Sequence, residues 1–160
     1  MLLAVLTISD RCSHGEMTDT AGPAVVELLL RQWPEADIRT SLRPDDEIAI
    51  ATELGRLCEE GAGLVLTVGG TGLGPHDHTP EATQRVIDRE APGLAEAMRA
   101  EGAKSNRFAW LSRGVAGLKG STLIVNLPGS KRGAEESLIS ILVLLKHGIE
   151  VAAGSHTHPK

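Results

Sequence analysis

The sequence predicts an α/β fold, a three-layer α/β/α sandwich around a mostly parallel sheet with one antiparallel strand pair, and three observations carry that expectation. Short apolar runs such as Leu2–Ile8 and Leu64–Val68 are continuous, as in strands covered on both faces. Between such runs lie longer segments whose apolar residues recur at three-and-four spacing, the period of a half-buried helix. Strand and helix signals alternate over most of the length, which places helices on both faces of the sheet.

The elements follow in order. Leu2–Ile8 meets Ser9-Asp10-Arg11 at once and passes into a polar loop with Gly15. Gly22-Pro23 opens a helix with an apolar face of Val25, Leu28 and Leu29, flanked by Val26, Leu30 and Trp33, and Trp33-Pro34 ends it. A short strand is expected over residues 36–40, around Ile38. After Pro44-Asp45-Asp46-Glu47 a stripe of Ile50, Ala51, Leu54, Leu57 and Cys58 marks a helix, closed by Gly61 and Gly63. Leu64–Val68 is the next strand, and a glycine-rich loop follows it directly.

Thr79-Pro80-Glu81 reads as the cap, first position and acidic first turn of a helix with Ala82, Val86 and Ile87 inward. Another helix carries Leu94, Ala97 and Met98. Strands are expected over residues 109–115 and Thr122–Leu127, and the link between them, holding Gly117 and Gly120, is too short for a crossover, so the pair runs antiparallel. Leu138, Ile141, Leu142, Leu145 and Ile149 give the last helix. The expected organisation is one domain over residues 1–151 and a tail over residues 152–160 that holds His156 and His158.

Composition narrows the function. With 41% hydrophobic and 23% charged residues in 160, the chain fits one domain with a sizeable core. Aromatics amount to 2%, so the core is left to Leu, Val, Ile and Ala, and base stacking is poorly supplied. A net charge of −5 argues against nucleic acid as well. It is compatible with a small anionic ligand, because local cations and N–H groups outweigh a distant acidic surface. Cys12 and Cys58 form no Cys-x-x-Cys pair, which suggests neither zinc nor a disulfide and fits a reducing cytoplasm. The apolar start has no basic leader and reads as a strand, and no run approaches the roughly 20 apolar residues of a membrane span.

Candidate chemistry concentrates in residues 64–83, where an apolar strand runs into Gly69-Gly70-Thr71-Gly72-Leu73-Gly74-Pro75, then Asp77, then the capped helix. Glycines let backbone N–H groups approach an anion, and a helix start adds its positive dipole end. The two commoner phosphate motifs are excluded: Gly74 is followed by Pro75-His76 where a P-loop needs Lys and Ser or Thr, and the dinucleotide fingerprint lacks its third glycine. On residues alone the loop is either a phosphate cradle or a plain strand-to-helix connection.

Two further loops offer the same pair of readings: residues 126–132, with Gly129, Ser130, Lys131 and Arg132, and residues 9–19, with Ser9, Asp10 and Asp19. Asp45 and Asp46 suit either a helix start or a magnesium ion. His76 and His78 flank Asp77 without a third clustered ligand, which favours loop residues over zinc ligands.

Taken in order, these segments resemble the molybdopterin adenylyltransferase family, the MogA/MoaB-type domain also found as the G domain of gephyrin. The resemblance rests on Thr7-Ile8-Ser9-Asp10-Arg11 with Gly15-Glu16 and Asp19, then Gly69-Gly70-Thr71-Gly72, Asp77 and Thr79-Pro80-Glu81-Ala82-Thr83. Pro92-Gly93-Leu94, Leu111-Ser112-Arg113 and Asn126-Leu127-Pro128-Gly129-Ser130 complete it. It implies binding of molybdopterin and transfer of AMP from ATP to its terminal phosphate, with Mg²⁺ and release of pyrophosphate. The alternative within the family is a molybdopterin-binding scaffold without adenylylation.

The resemblance further implies that Asp77 and Asp45 are the catalytic, metal-holding carboxylates. Ser9, Asp10, Gly69, Gly70, Thr71, Gly72, Thr79, Pro80 and Glu81 would bind substrate. Ser112, Asn126, Pro128, Gly129 and Ser130 would line the rest, and Lys104 would meet a phosphate. A homotrimer is implied, with the molybdate-inserting enzyme of the pathway as a partner. Two positions depart from the family pattern: His76 stands for the usual Arg before the central Asp, and Lys131 for the usual Pro after Ser130.

Overall fold

The sheet grows outward from β1 (Leu2–Ile8), which lies between two parallel neighbours. On one side it pairs along its full length with β2 (Asp37–Arg43), and on the other with β3 (Leu64–Val68). Beyond β3 the order continues with β6 (Thr122–Leu127), β5 (Ala116–Lys119) and the two-residue β4 (Arg89–Glu90). β3 and β6 are parallel, while β5 runs antiparallel to β6 and to β4. The computed structural model describes residues 1–155.

The helices are α1 (Asp10–Ser13), α2 (Ala21–Gln32), α3 (Glu47–Glu59), α4 (Thr79–Val86), α5 (Pro92–Gly102) and α6 (Lys131–Ala152). Strict alternation sorts the strands onto two cores. Leu3 and Val5 of β1, Leu64, Leu66 and Val68 of β3, and Leu123, Val125 and Leu127 of β6 face α2, α5 and α6, where they meet Val25, Leu29, Met98, Leu138, Ile141 and Leu145. Ala4, Leu6 and Ile8, Val65 and Ile124 face α3 and α4, against Ile50, Leu54, Leu57 and Ala82. Both faces of the central strands are therefore covered, the reason their sequences are continuous apolar runs. No helix among the described residues is long and apolar enough to cross a membrane.

The three-layer architecture is the expected one, and several local expectations are corrected. His78 and not Thr79 is the N-cap of α4, which begins at Thr79. Residues 109–115 are not a strand. Asn106 accepts from the Phe108 N–H and starts a 3-10 helix, Arg107–Leu111, on which Phe108, Trp110 and Leu111 point outward. The strand that pairs with β6 is Ala116–Lys119, so Gly117 belongs to it and not to the link. A Cβ on Gly117 would lie 2.6 Å from the Arg89 carbonyl oxygen, which is why a glycine sits inside that strand. The link is the two-residue turn Gly120-Ser121, with Gly120 at φ 58°.

The loop after β1 begins with one turn of helix, α1, capped by Ser9. The second strand extends beyond residue 40 to Arg43, because β1 offers a pairing partner along its whole length. Ala152 belongs to α6 and not to the tail, whose His156 and His158 lie outside the described residues.

One charged residue is sealed into the structure beside the edge strand. Glu53 of α3 is 3% exposed and accepts from Arg43 Nη2 at 2.8 Å and from Arg56 Nη2 at 2.7 Å. The Arg56 hydrogen bond, aided by the charge of Arg43 against the cost of burial, pulls its carboxyl down from an ordinary 4.5 to about 2. A depressed native value means that this stabilisation is complete above the unfolded value and is lost as pH falls toward the native one. Because both arginines are about half exposed, Glu53→Gln is expected to cost about 1–2 kcal/mol at pH 7. The gap in thermal midpoint between wild type and Glu53→Gln should close between pH 4.5 and about 2. A gap that is constant with pH in a calorimetric titration contradicts this account.

Candidate active site at the carboxyl edge of the sheet

The parallel strands β1, β2, β3 and β6 all release their loops at one edge, and there the loops touch. Gly69 follows β3 with φ 111° and donates its N–H to Leu127 O at 3.1 Å. A Cβ on it would collide with the Ile8 carbonyl oxygen at the end of β1. A Cβ on Gly129 in the loop after β6 would lie 3.2 Å from Gly69 Cα. Gly70, at φ 66°, leaves the space where a Cβ would collide with Thr79 Oγ1 and stand 2.8 Å from Asp45 Oδ2. Gly69 and Gly70 are required by close approach as well as by backbone angle. The edge is also the switch point of the sheet, since the chain leaves β1 toward α2 on one face and β3 toward α4 on the other.

Around that gap stand three carboxylates held by backbone N–H groups. Asp10 Oδ1 accepts from Asp45 N at 2.8 Å, Asp45 Oδ1 from His78 N at 2.9 Å, and Asp77 Oδ2 from Gly74 N at 2.9 Å. Burial raises the Asp45 carboxyl above the usual range; the His78 N–H opposes this, while the charges of Asp77 and Asp10 add to it. The site is thus short of positive charge. Thr79 Oγ1 is wholly buried and has no hydrogen-bond partner among the described residues, although it lies beside the Gly70 gap. An orphaned hydroxyl beside the Asp45 carboxylate suits a ligand that brings polar atoms and positive charge. Two carboxylates completed by water and phosphate oxygens are what Mg²⁺ takes, and no cluster of three His, Cys, Asp or Glu ligands occurs among the described residues.

A second wall borders this edge. Ser112, Asn126, Pro128 and Ser130 line a cavity of about 210 Å³ together with Met98, Arg99, Phe108 and Glu136. Ser130 Oγ accepts from Gly133 N and caps α6, and Ser112 Oγ accepts from Gly114 N. The Asn126 side chain points into the protein, accepting from Val115 N and donating to Thr67 Oγ1 and Thr83 Oγ1, each of the two at 2.9 Å. It ties β3, β6 and α4 together beneath the loops.

The sequence-derived residues thus separate into groups. Asp10, Asp45, Gly69, Gly70, Asp77 and Thr79 come together at the gap, and Ser112, Pro128 and Ser130 at the cavity, with Gly129 touching Gly69 between them. Ser9 caps α1, the Thr71 carbonyl accepts from Arg113 N, and Pro80 is buried in the first turn of α4. Glu81 is ion-paired with Arg113. Lys104 pairs with Glu101 and borders a different hollow, beside Ile139 and Ser140. Residue patterns alone do not assign Arg113 a task. Its guanidinium reaches Gly72 O, Asp77 O and Glu81, and the one sequence signal for it is its place in Leu111-Ser112-Arg113.

Comparison with known proteins agrees with this geometry. A family profile described as "Probable molybdopterin binding domain" matches residues 4–147. The molybdenum cofactor synthesis protein cinnamon of Drosophila melanogaster is 38% identical over 148 residues, 92% of this chain and 25% of that protein. The chain spans between 22% and 47% of the length of the longer curated relatives that it matches. Molybdopterin adenylyltransferase of Helicobacter pylori is 33% identical over 156 residues, with 96% of this chain and 89% of the relative covered. The crystal structure of the molybdopterin biosynthesis enzyme MoaB from Thermus thermophilus superposes with a TM-score of 0.89 at 45% identity, covering 96% of each chain. With its ordered loops, its three-layer sheet and these relatives in accord, the chain belongs to the molybdopterin adenylyltransferase family of MogA/MoaB-type domains.

Proposed function

We propose that the chain acts in molybdenum cofactor biosynthesis as a molybdopterin adenylyltransferase, carried by one domain that ends with α6. The observation that supports this most is the gap at Gly70, walled by the Asp45 carboxylate and the orphaned Thr79 hydroxyl, with the Asp77 loop beside it and the cavity of Ser112 and Ser130 on the far side of the Gly69–Gly129 contact. The names borne by relatives supply the substrate. In the reaction an oxygen of the terminal phosphate of molybdopterin attacks the α-phosphorus of ATP, the bond to the β-phosphate oxygen breaks, and pyrophosphate leaves.

The attacking phosphate is already ionised at neutral pH, so no histidine or cysteine base is required, and positioning with charge neutralisation supplies the rate. Asp45 and Asp77 would hold Mg²⁺, whose chemistry when bound is to neutralise the polyphosphate and the departing pyrophosphate. Backbone N–H groups of the glycine loop and the amino end of α4 direct partial positive charge at the same place. Thr79 Oγ1 donates to the ligand that completes its hydrogen bonding. The cavity beside Phe108, Ser112 and Ser130 takes the pterin, and the Asp45–Gly70 gap takes the triphosphate.

The same reading includes a homotrimer, supported by outward apolar residues on α6 and the 3-10 helix, among them Val143 at 83% and Phe108 at 70% exposure. It also includes a cytoplasmic location and, as a partner, the enzyme that inserts molybdate.

With molybdopterin, ATP and Mg²⁺ the purified chain is expected to release pyrophosphate. Asp77→Asn and Asp45→Asn should each slow release by about 10²-fold or more. Asparagine still accepts the Gly74 or His78 N–H, so thermal midpoints should stay within about 2 °C of wild type. Molybdopterin binding without pyrophosphate release would replace the enzyme with the scaffold reading, and failure to bind either ligand would sink both. In a Trp33→Phe protein, fluorescence from Trp110, two residues from the cavity-lining Ser112, should change on addition of molybdopterin. An unchanged spectrum at saturating ligand removes the pterin from that cavity.

A further inference from the structure

Arg113 lies in the extended segment between the 3-10 helix and β5, and its side chain turns back over the glycine loop. Nε donates to Gly72 O at 2.7 Å and Nη2 to Asp77 O at 2.8 Å. Nη1 is paired with Glu81 in the first turn of α4, and the backbone N–H of Arg113 donates to Thr71 O at 2.8 Å. One guanidinium therefore ties both ends of residues 72–77 to each other and to the helix that follows.

The loop has few means of holding itself. Residues 73–76 are all exposed, with Leu73 at 66%. From inside, the loop is folded onto the Asp77 carboxylate, which accepts from Gly74 N, while Asp77 N donates to Gly74 O. A Cβ on Gly72 or Gly74 would lie 2.7 or 2.9 Å from Asp77 Oδ2, so only glycines permit that closure. The same glycines make the open loop rich in conformations, which favours opening unless contacts from outside oppose it. As a partly exposed ion pair, Arg113 and Glu81 contribute little to global stability. What the guanidinium supplies is direction, because its planar fork reaches acceptors on three sides at once. A lysine concentrates its donors at a single point.

We propose that Arg113 is a positioning residue for the Asp77 loop: it holds residues 71–78 in the closed conformation that presents the Asp77 carboxylate to a divalent cation opposite Asp45. The inference rests on the reading of this edge as the cation and phosphate site, and it assigns Arg113 no contact with substrate. Arg113 works through backbone carbonyls and Glu81, and the phosphate charge is left to other groups.

The first test needs no turnover. Amide hydrogen exchange on the full chain, with no ligand added, is expected to speed up about tenfold or more across residues 72–78 in Arg113→Gln, with β3 and α6 unchanged. Mn²⁺ affinity, read from the paramagnetic signal of the free ion, should fall about tenfold in both Arg113→Gln and Arg113→Lys. In pyrophosphate release both variants should need more Mg²⁺ for half-maximal rate while KM for molybdopterin stays the same. A purely structural role would lower the amount of active protein and leave the Mg²⁺ requirement in place. Arg113→Lys keeps the charge and serves where the glutamine variant does not fold. Loop exchange and Mn²⁺ affinity equal to wild type in the folded variant overturn the proposal, as does full recovery of both by lysine. If exchange and Mn²⁺ affinity change as stated while the wild-type chain releases no pyrophosphate, adenylyl transfer is refuted and the positioning role stands.

Discussion

The chain leaves β3 through a passage with no room for a side chain. On one side is the carbonyl oxygen of Ile8 at the end of β1, on the other Gly129 and the Leu127 carbonyl after β6. Gly69 and Gly70 meet both demands of that passage, a positive φ and the absence of a Cβ. Everything at the edge depends on it. A wider exit would separate the loop after β3 from the loops after β1 and β6, and the gap beside Asp45 would lose its floor. The two apolar layers fix the strands on either side, so the passage cannot widen without disturbing packing that is already closed on both faces.

Given that passage, the carboxylates are set before any ligand arrives. Each of Asp10, Asp45 and Asp77 spends an oxygen on a backbone N–H, and the first two bonds join the loops after β1, β2 and β3 in a chain. Fixed acceptors that need not reorganise on binding are the property expected of a site that works by positioning. The cost is visible in Asp45, whose carboxyl is raised by burial and by its acidic neighbours. Thr79 adds an unsatisfied hydroxyl in the same place. The arrangement is self-consistent only with a cationic or donor-rich occupant.

What could be read in the sequence depended on whether a residue acts near its own position. β1, β3 and β6 are legible because both their faces are buried, and α3 because its stripe of Ile50, Leu54 and Leu57 meets one layer. The 3-10 helix misleads, since Trp110 and Leu111 look like core yet face outward, and β5 is obscured by the glycine that its crowded neighbour requires. The glycine loop, Asp77 and the Thr79-Pro80-Glu81 start of α4 are local in sequence, so their order could be matched to a family. Asn126 and Arg113 act on partners distant in sequence, Asn126 on Thr67 and Thr83 and Arg113 on two backbone carbonyls. No residue pattern encodes a bond to a carbonyl oxygen, which every residue has.

Charge balance shows how the departure at residue 76 is to be understood. His76 is exposed, at the position where the family resemblance leads to the expectation of an arginine. Two arginines close to the edge are already engaged: Arg113 with Glu81 and two carbonyls, Arg99 with the carbonyls of Ser112 and Gly114. Neither can turn to a phosphate without giving up bonds that hold the loops. Lys131, exposed at the first position of α6 beside the cavity-lining Ser130, is a cation in the same region. Under the adenylyltransferase reading, polyphosphate charge at the gap then falls to backbone N–H groups, the amino end of α4 and the metal, all of which act at short range. A site built that way depends less on a charge at exposed position 76 than on the contacts that shape the loop, because a solvent-exposed charge is screened while the loop sets the positions of the atoms at the gap.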